Sequence, residues 1–134
     1  MTLDIENILK TARTIAVVGL SGNPSRTSHS IAAYLQRKGY TIIPVNPMVD
    51  EVLGEKSYRS LADIPSEITI DIVNVFRQNR FLPEIAQAAT VRGCGFFWAQ
   101  QGVYHEKAEQ ILQEAEIPYI MDSCIFVEHR MTNR

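Results

Sequence analysis

The chain has 134 residues, 46% of them hydrophobic, and 13 basic against 15 acidic residues give a formal charge of −2. That length suits a single domain over residues 1–134, and the charge balance argues against a nucleic-acid partner, which a basic excess would signal. No apolar run approaches the ~20 residues of a membrane span, so no membrane partner is expected. The two cysteines, Cys94 and Cys124, are too few for a disulfide scaffold and lack metal-ligand spacing.

Residues 1–10 are acidic and amphipathic, with Leu3, Ile5, Ile8, Leu9 and Ala12 spaced as on one helical face. The segment reads as a helix rather than a secretion signal or transit peptide, and the expected compartment is the cytoplasm. Residues 14–20 form a short apolar run, rich in β-branched side chains and broken at Gly19, as in a strand buried on both faces. Ser28 is placed to cap a helix whose apolar face is Ile31, Ala32 and Leu35, closed by Gly39. Residues 41–45 read as a second strand, with Pro44 an unusual interior residue.

A long connection follows through Gly54 and Tyr58, with one helical turn near residues 60–64. Residues 70–76 form a third strand, 82–91 a helix closed by Gly93, 96–98 a fourth strand, 105–115 a helix and 118–121 a fifth strand. Alternating strands and helices predict an α/β fold: a Rossmann-like doubly wound domain with helices on both faces of a five-stranded, mainly parallel sheet. The expected strand order is 3-2-1-4-5.

In such a sheet the strands end at one edge, and ligands bind in the crevice beyond it. That edge is expected to gather Ser21 and Gly22, Asn46 and Pro47, Phe76 and Arg77, Gln100 to Gly102, and Asp122 to Cys124. The turn after the first strand is rich in small residues, so its N–H groups can approach a phosphate at the start of the next helix. Arg26 adds a full charge there, and Ser21 and Ser28 add hydroxyls.

The turn departs from the G-x-G-x-x-G fingerprint, with Ser21 and Pro24 at glycine positions, and no Gly-Lys-Ser/Thr follows as in a P-loop. The second strand ends in Val45-Asn46-Pro47-Met48, without the acid that holds the ribose hydroxyls of NAD. NAD is therefore disfavoured, while a phosphorylated ribose is compatible.

The ordered set Val17-Val18-Gly19-Leu20-Ser21, Asn23-Pro24, Ile43-Pro44-Val45-Asn46-Pro47, Leu53-Gly54-Glu55, Val75-Phe76-Arg77, Trp98-Ala99-Gln100-Gln101-Gly102 and Met121-Asp122-Ser123-Cys124 resembles the small stand-alone CoA-binding domain proteins of bacteria and archaea. Their fold is similar to the N-terminal domain of the succinyl-CoA synthetase alpha subunit. The resemblance implies coenzyme A as cofactor, lying across the C-terminal edge of the sheet. It implies that Ser21, Gly22, Asn23 and Pro24 line the phosphate loop and that Asn46 and Pro47 border the nucleotide. Phe76, Arg77, Ala99, Gln100 and Gln101 would flank the cofactor further along. Met48 and Ser123 stand where relatives often carry basic residues.

Arginine suits phosphate through its planar fork of donors, so Arg77, directly after a buried strand, is the leading phosphate contact beside Arg26. Arg80 reads as a solvated residue near a helix start, and Trp98 as a core residue. The amides of Gln100 and Gln101 have the chemistry to read an adenine edge or the pantetheine arm. Cys124 falls on the ligand edge as a thiol contact, where it would form a mixed disulfide with CoA, against the competing reading of a buried inert thiol.

His29, His105 and His129 share no ligand spacing, and no catalytic set is readable. The leading function is a CoA or short acyl-CoA binding module that carries CoA, senses it or serves a partner enzyme, with a homodimer also open. Two alternatives remain. One is an NADP-dependent oxidoreductase domain. The other is a regulatory interaction domain with a vestigial crevice.

Overall fold

The computed structural model describes residues 3–132, so the first two residues of the N-terminal amphipathic segment lie outside the described part. Strand β1 (Thr14–Val18) lies between β2 (Thr41–Val45) and β5 (Ile72–Val75), with β6 (Phe96–Ala99) and β7 (Tyr119–Ile120) beyond β5. All four pairings are parallel. The interior strands bear out the double-sided burial expected of them: all four residues of β5 and of β6 are buried.

Helices cover both faces. On one, α1 (Ile5–Thr11), α2 (Thr27–Arg37) and α5 (Ile125–Thr132) bury Leu9, Ile31, Leu35 and Ile125 against Ile15, Val17, Ile72 and Trp98. On the other, α3 (Leu82–Arg92) and α4 (Glu106–Glu114) bury Leu82, Ala86, Ala108 and Leu112 against Val18, Val73, Val75 and Phe97. Alternate residues of each strand feed opposite layers, as the pleat demands. Among the described residues no helix is long and apolar enough to cross a membrane.

The fold class is as expected, but the strand order is not. Counting the five strands in chain order, the sheet runs 2-1-3-4-5 rather than 3-2-1-4-5. Pro44 gives the physical reason. The Pro44 carbonyl accepts from the Tyr58 N–H at 3.0 Å on the side away from β1, while the Val45 carbonyl faces β1 and accepts from the Gly19 N–H at 2.9 Å. The proline ring nitrogen therefore falls on the outer edge of β2, where a further strand would require a donor it lacks. The segment at Tyr58 closes that edge with a single bridge to Val45. The third strand of the alternation instead pairs with β1.

Beyond the 3₁₀ turn Asn79–Phe81 ahead of α3, a hairpin and a terminal helix were not expected. The long connection holds a short antiparallel hairpin of β3 (Glu51–Val52) and β4 (Glu55–Lys56). The chain after Cys124 forms α5, whose buried positions are Ile125 and His129. A histidine on the inward stripe interrupts the apolar period by which a helix is recognised.

Candidate functional site

The order 2-1-3-4-5 puts the topological switch point between β1 and β5, whose connections leave toward opposite faces of the sheet. The backbones nearly touch there. Gly19 has φ +87°, and a Cβ on it would overlap the Phe76 carbonyl oxygen and lie 3.0 Å from the Arg77 Cδ. Only glycine tolerates both the dihedral and the approach.

Past Gly19 the loop is held by its own hydrogen bonds. The Ser21 N–H donates to the Ser28 Oγ and the Asn23 N–H to the Ser21 Oγ, each at 3.0 Å, and the Asn23 Oδ1 accepts from the Ser25 N–H at 3.0 Å. Ser28 is thus not the helix cap expected of it. It is buried in the first turn of α2, where its hydroxyl fixes the loop. The cap position belongs to Arg26, which makes no side-chain capping bond. The positive end of α2 is left open toward the crevice.

That crevice has a volume of about 1120 Å³ and runs from Gly19, Arg26 and Thr27 across Phe76 and Arg77 to Val103 and Cys124. Its walls carry three arginines, Arg26, Arg77 and Arg80, and no carboxylate side chain. None of the three is ion-paired; among the described residues the salt bridge found is Lys10 to Glu6, elsewhere on α1. A chain with net negative charge therefore concentrates positive charge at one cleft. A smaller pocket of about 290 Å³ adjoins it, adding Ser21 and Ser28 and sharing Gly19, Arg26, Asn46 and Phe76.

The structure thus brings Gly19, Ser21, Arg26, Ser28, Asn46, Phe76, Arg77, Gln100, Gln101 and Cys124 to one place. Gly22, Asn23, Pro24 and Pro47 are exposed on neighbouring loops and line neither hollow. Ala99 lies elsewhere: it is fully buried in β6, within the α3/α4 layer. Trp98 is in the core as expected, its indole N–H donating to the Ser123 carbonyl at 2.8 Å.

Two amides expected at the ligand are already engaged. The Asn46 Nδ2 donates to the Leu20 carbonyl and its Oδ1 accepts from the Met48 N–H, both at 2.9 Å, so this side chain holds the loop against the end of β2. Gln100 is buried, donates to the Asn74 Oδ1 at 2.6 Å and accepts from the Ile125 N–H at 3.3 Å. Gln101 is exposed and keeps its amide available. Met48 is 85% exposed and offers no charge.

Arg80 is exposed just before α3, as a solvated residue near a helix start should be, but sequence reasoning did not place it or Phe81 at the cleft. Both line the cleft, and the Arg77 and Arg80 guanidinium carbons lie 4.3 and 4.7 Å from the Phe81 ring centroid. The available signal was Pro83, which marks the first turn of α3 and so leaves residues 78–81 in the entry loop at the strand end. The two cysteines differ. Cys124 lines the cleft immediately before α5, whereas burial pushes the Cys94 thiol up to about 11. Among the described residues no group of three or more His, Cys, Asp or Glu is placed to hold a metal ion.

Comparison with known proteins bears on the family and the fold. The chain is 48% identical over 129 residues to the uncharacterized protein YneT of Bacillus subtilis, covering 96% of this chain and 94% of that one. The solved structure of a Thermus thermophilus protein, cell-free ID.343, superposes with a TM-score of 0.91 at 35% identity, covering 97% of this chain and 99% of the other. An ADP-forming acetate–CoA ligase of Methanocaldococcus jannaschii is 22% identical over 129 residues, which are 90% of this chain but only 18% of the ligase. The family model described as CoA binding domain matches residues 13–130, and the chain belongs to that family.

Proposed function

We propose that this domain binds coenzyme A, or a short acyl-CoA, in the cleft at the C-terminal rim of the sheet, as a carrier, a sensor or an accessory to a partner enzyme. The observation that carries the reading is the cleft itself: three arginines without ion pairs, no carboxylate, and an uncapped helix start at the switch point. Backbone donors and the helix dipole at the start of α2 suit a diphosphate, and Arg26 supplements them. The far end of the cleft, lined by Gln101, Val103 and Cys124, takes the pantetheine arm and its thiol in this reading. Family membership and the likeness to a CoA ligase support the same ligand.

A thermal-shift panel of CoA, acetyl-CoA, NADPH, NADH and ATP tests this. A ligand at 100 times its dissociation constant stabilises by about 2.7 kcal/mol, enough to read. CoA and acetyl-CoA are expected to raise the midpoint, with NADPH silent. A shift with NADPH alone would turn the reading toward an oxidoreductase domain, and no shift with any ligand toward an interaction domain. Intrinsic fluorescence is a poor substitute, because Trp98 is fully buried and does not line the cleft.

A further inference from the structure

Strand β5 carries one polar residue among Ile72, Val73 and Val75, and it is fully buried: Asn74 lies between Val17 of β1 and Trp98 of β6. Val73 and Val75 face the α3/α4 layer, so the Asn74 side chain faces the other one. There its Oδ1 accepts from the Gln100 Nε2 at 2.6 Å. The direction of this bond is dictated from outside the pair. The Ile125 N–H, at the start of α5, only donates, so the Gln100 Oε1 must turn toward it, at 3.3 Å. The Gln100 nitrogen then faces Asn74, the Asn74 oxygen faces Gln100, and the Asn74 Nδ2 is left over. Among the described residues it is the buried side-chain nitrogen without a hydrogen-bond partner.

An unsatisfied buried donor destabilises a fold, and leucine, of similar size, would leave none at this position. Stability therefore does not account for Asn74. What it fixes is the orientation of Gln100, which is 4% exposed and lines the cleft. With the Gln100 oxygen committed to Ile125 and one amide proton to Asn74, the second proton is what remains for a ligand. The amide thus presents a donor to the cleft and its oxygen to α5; an amide free to turn would present either. Cys124 adjoins Ile125 in the chain and lines the same cleft, so this donor belongs to its thiol end. A free thiol is a weak acceptor, whereas a thioester adds a carbonyl oxygen beside the sulfur.

We infer that Gln100, held in one orientation by Asn74, donates to the thioester carbonyl of an acyl-CoA and makes the domain selective for acylated over free CoA. Gln100 is the residue that meets the ligand, and Asn74 is a positioning residue that acts through it. This rests on the CoA reading above and names the form of ligand that the cleft takes.

Calorimetric titration of the full chain with acetyl-CoA and with S-ethyl-CoA, a thioether of similar size that lacks the carbonyl, tests it. The wild type is expected to prefer acetyl-CoA by about fivefold, the net worth of one hydrogen bond. Gln100→Met removes the donor and Asn74→Leu releases it. Each should bring the two ligands to within about twofold of one another, with S-ethyl-CoA affinity within about twofold of wild type. The wild-type comparison stands by itself if a variant fails to fold: equal affinity for the two ligands overturns the inference while the CoA reading stands. An equal loss of both ligands in Gln100→Met would assign the donor to an amide carbonyl of the pantetheine arm and overturn the acyl selection. A preference that survives in Asn74→Leu overturns the positioning role. Wild type that binds neither ligand, nor CoA, overturns the CoA reading as well.

Discussion

Gly19 and Phe76 meet so closely that a side chain on the first would overlap the main-chain carbonyl of the second. This contact sits at the switch point, where it joins the end of β1 to the end of β5 and lets the Arg77 stem lie across the loop. Gly19→Ala is expected to cost about 2 kcal/mol or more, from the positive φ and the overlap together. The thermal midpoint should fall by about 5–10 °C. An unchanged midpoint would mean that the two strand ends separate freely.

Arg26 and Arg77 are expected to act on ligand rather than on stability, since neither is ion-paired. Arg77→Gln should weaken CoA binding by about 10- to 100-fold, the value of a charge-assisted hydrogen bond or two, with a thermal midpoint close to wild type. Binding to wild type should also weaken between about 0.05 and 0.5 M salt, and the variant should show a shallower slope. Titration calorimetry at two salt concentrations measures both effects.

Cys124 and Cys94 should react differently with CoA disulfide. The Cys124 thiolate attacks one sulfur of the disulfide, forms a protein–CoA mixed disulfide and releases one CoA thiolate, so the step needs no further oxidant. Cys94 is held as an unreactive thiol by burial, with a value of about 11. Intact mass is expected to show one CoA adduct on wild type and on Cys94→Ser, and none on Cys124→Ser. An adduct that survives Cys124→Ser would remove the thiol contact from the site.

His129 predicts a pH dependence of stability unrelated to the cleft. It is buried beside Tyr34, whose hydroxyl lies 2.7 Å from the imidazole Nδ1, and burial together with the Lys38 charge lowers its value from the usual 6.5. The unfolded chain then binds more protons than the folded one below 6.5, so the contribution is complete above that pH and is lost as pH falls. The midpoint should drop between pH 7 and pH 5 by more in wild type than in His129→Gln, as read by thermal melts. Parallel curves would exclude this residue as the source.

The alternation of strands and helices was legible in the chain because buried parallel strands must be apolar throughout and the helices between them must be amphipathic. The rim segments followed from that alternation alone, since parallel strands end at a common edge. Gly19, Arg26, Arg77 and Cys124 were legible for this reason, as chemistry placed at known strand ends.

What the local pattern could not supply was which strands pair and which polar atoms were already spoken for. Pro44 carried the clue to the strand order, but its meaning depends on which side of β2 its nitrogen faces. Asn46 and Gln100 stand at the rim as foreseen, yet their amides are engaged by Leu20, Met48, Asn74 and Ile125, partners up to 26 residues away. Arg80 is surface charge, as its sequence position suggests, but the 3₁₀ turn of residues Asn79–Phe81 also sets it over the ring it shares with Arg77. Sequence by itself determined the elements and the edge where they end, because burial and periodicity are local. Pairing, hydrogen-bond occupancy and the convergence of charges were decided only by tertiary contacts between segments distant along the chain.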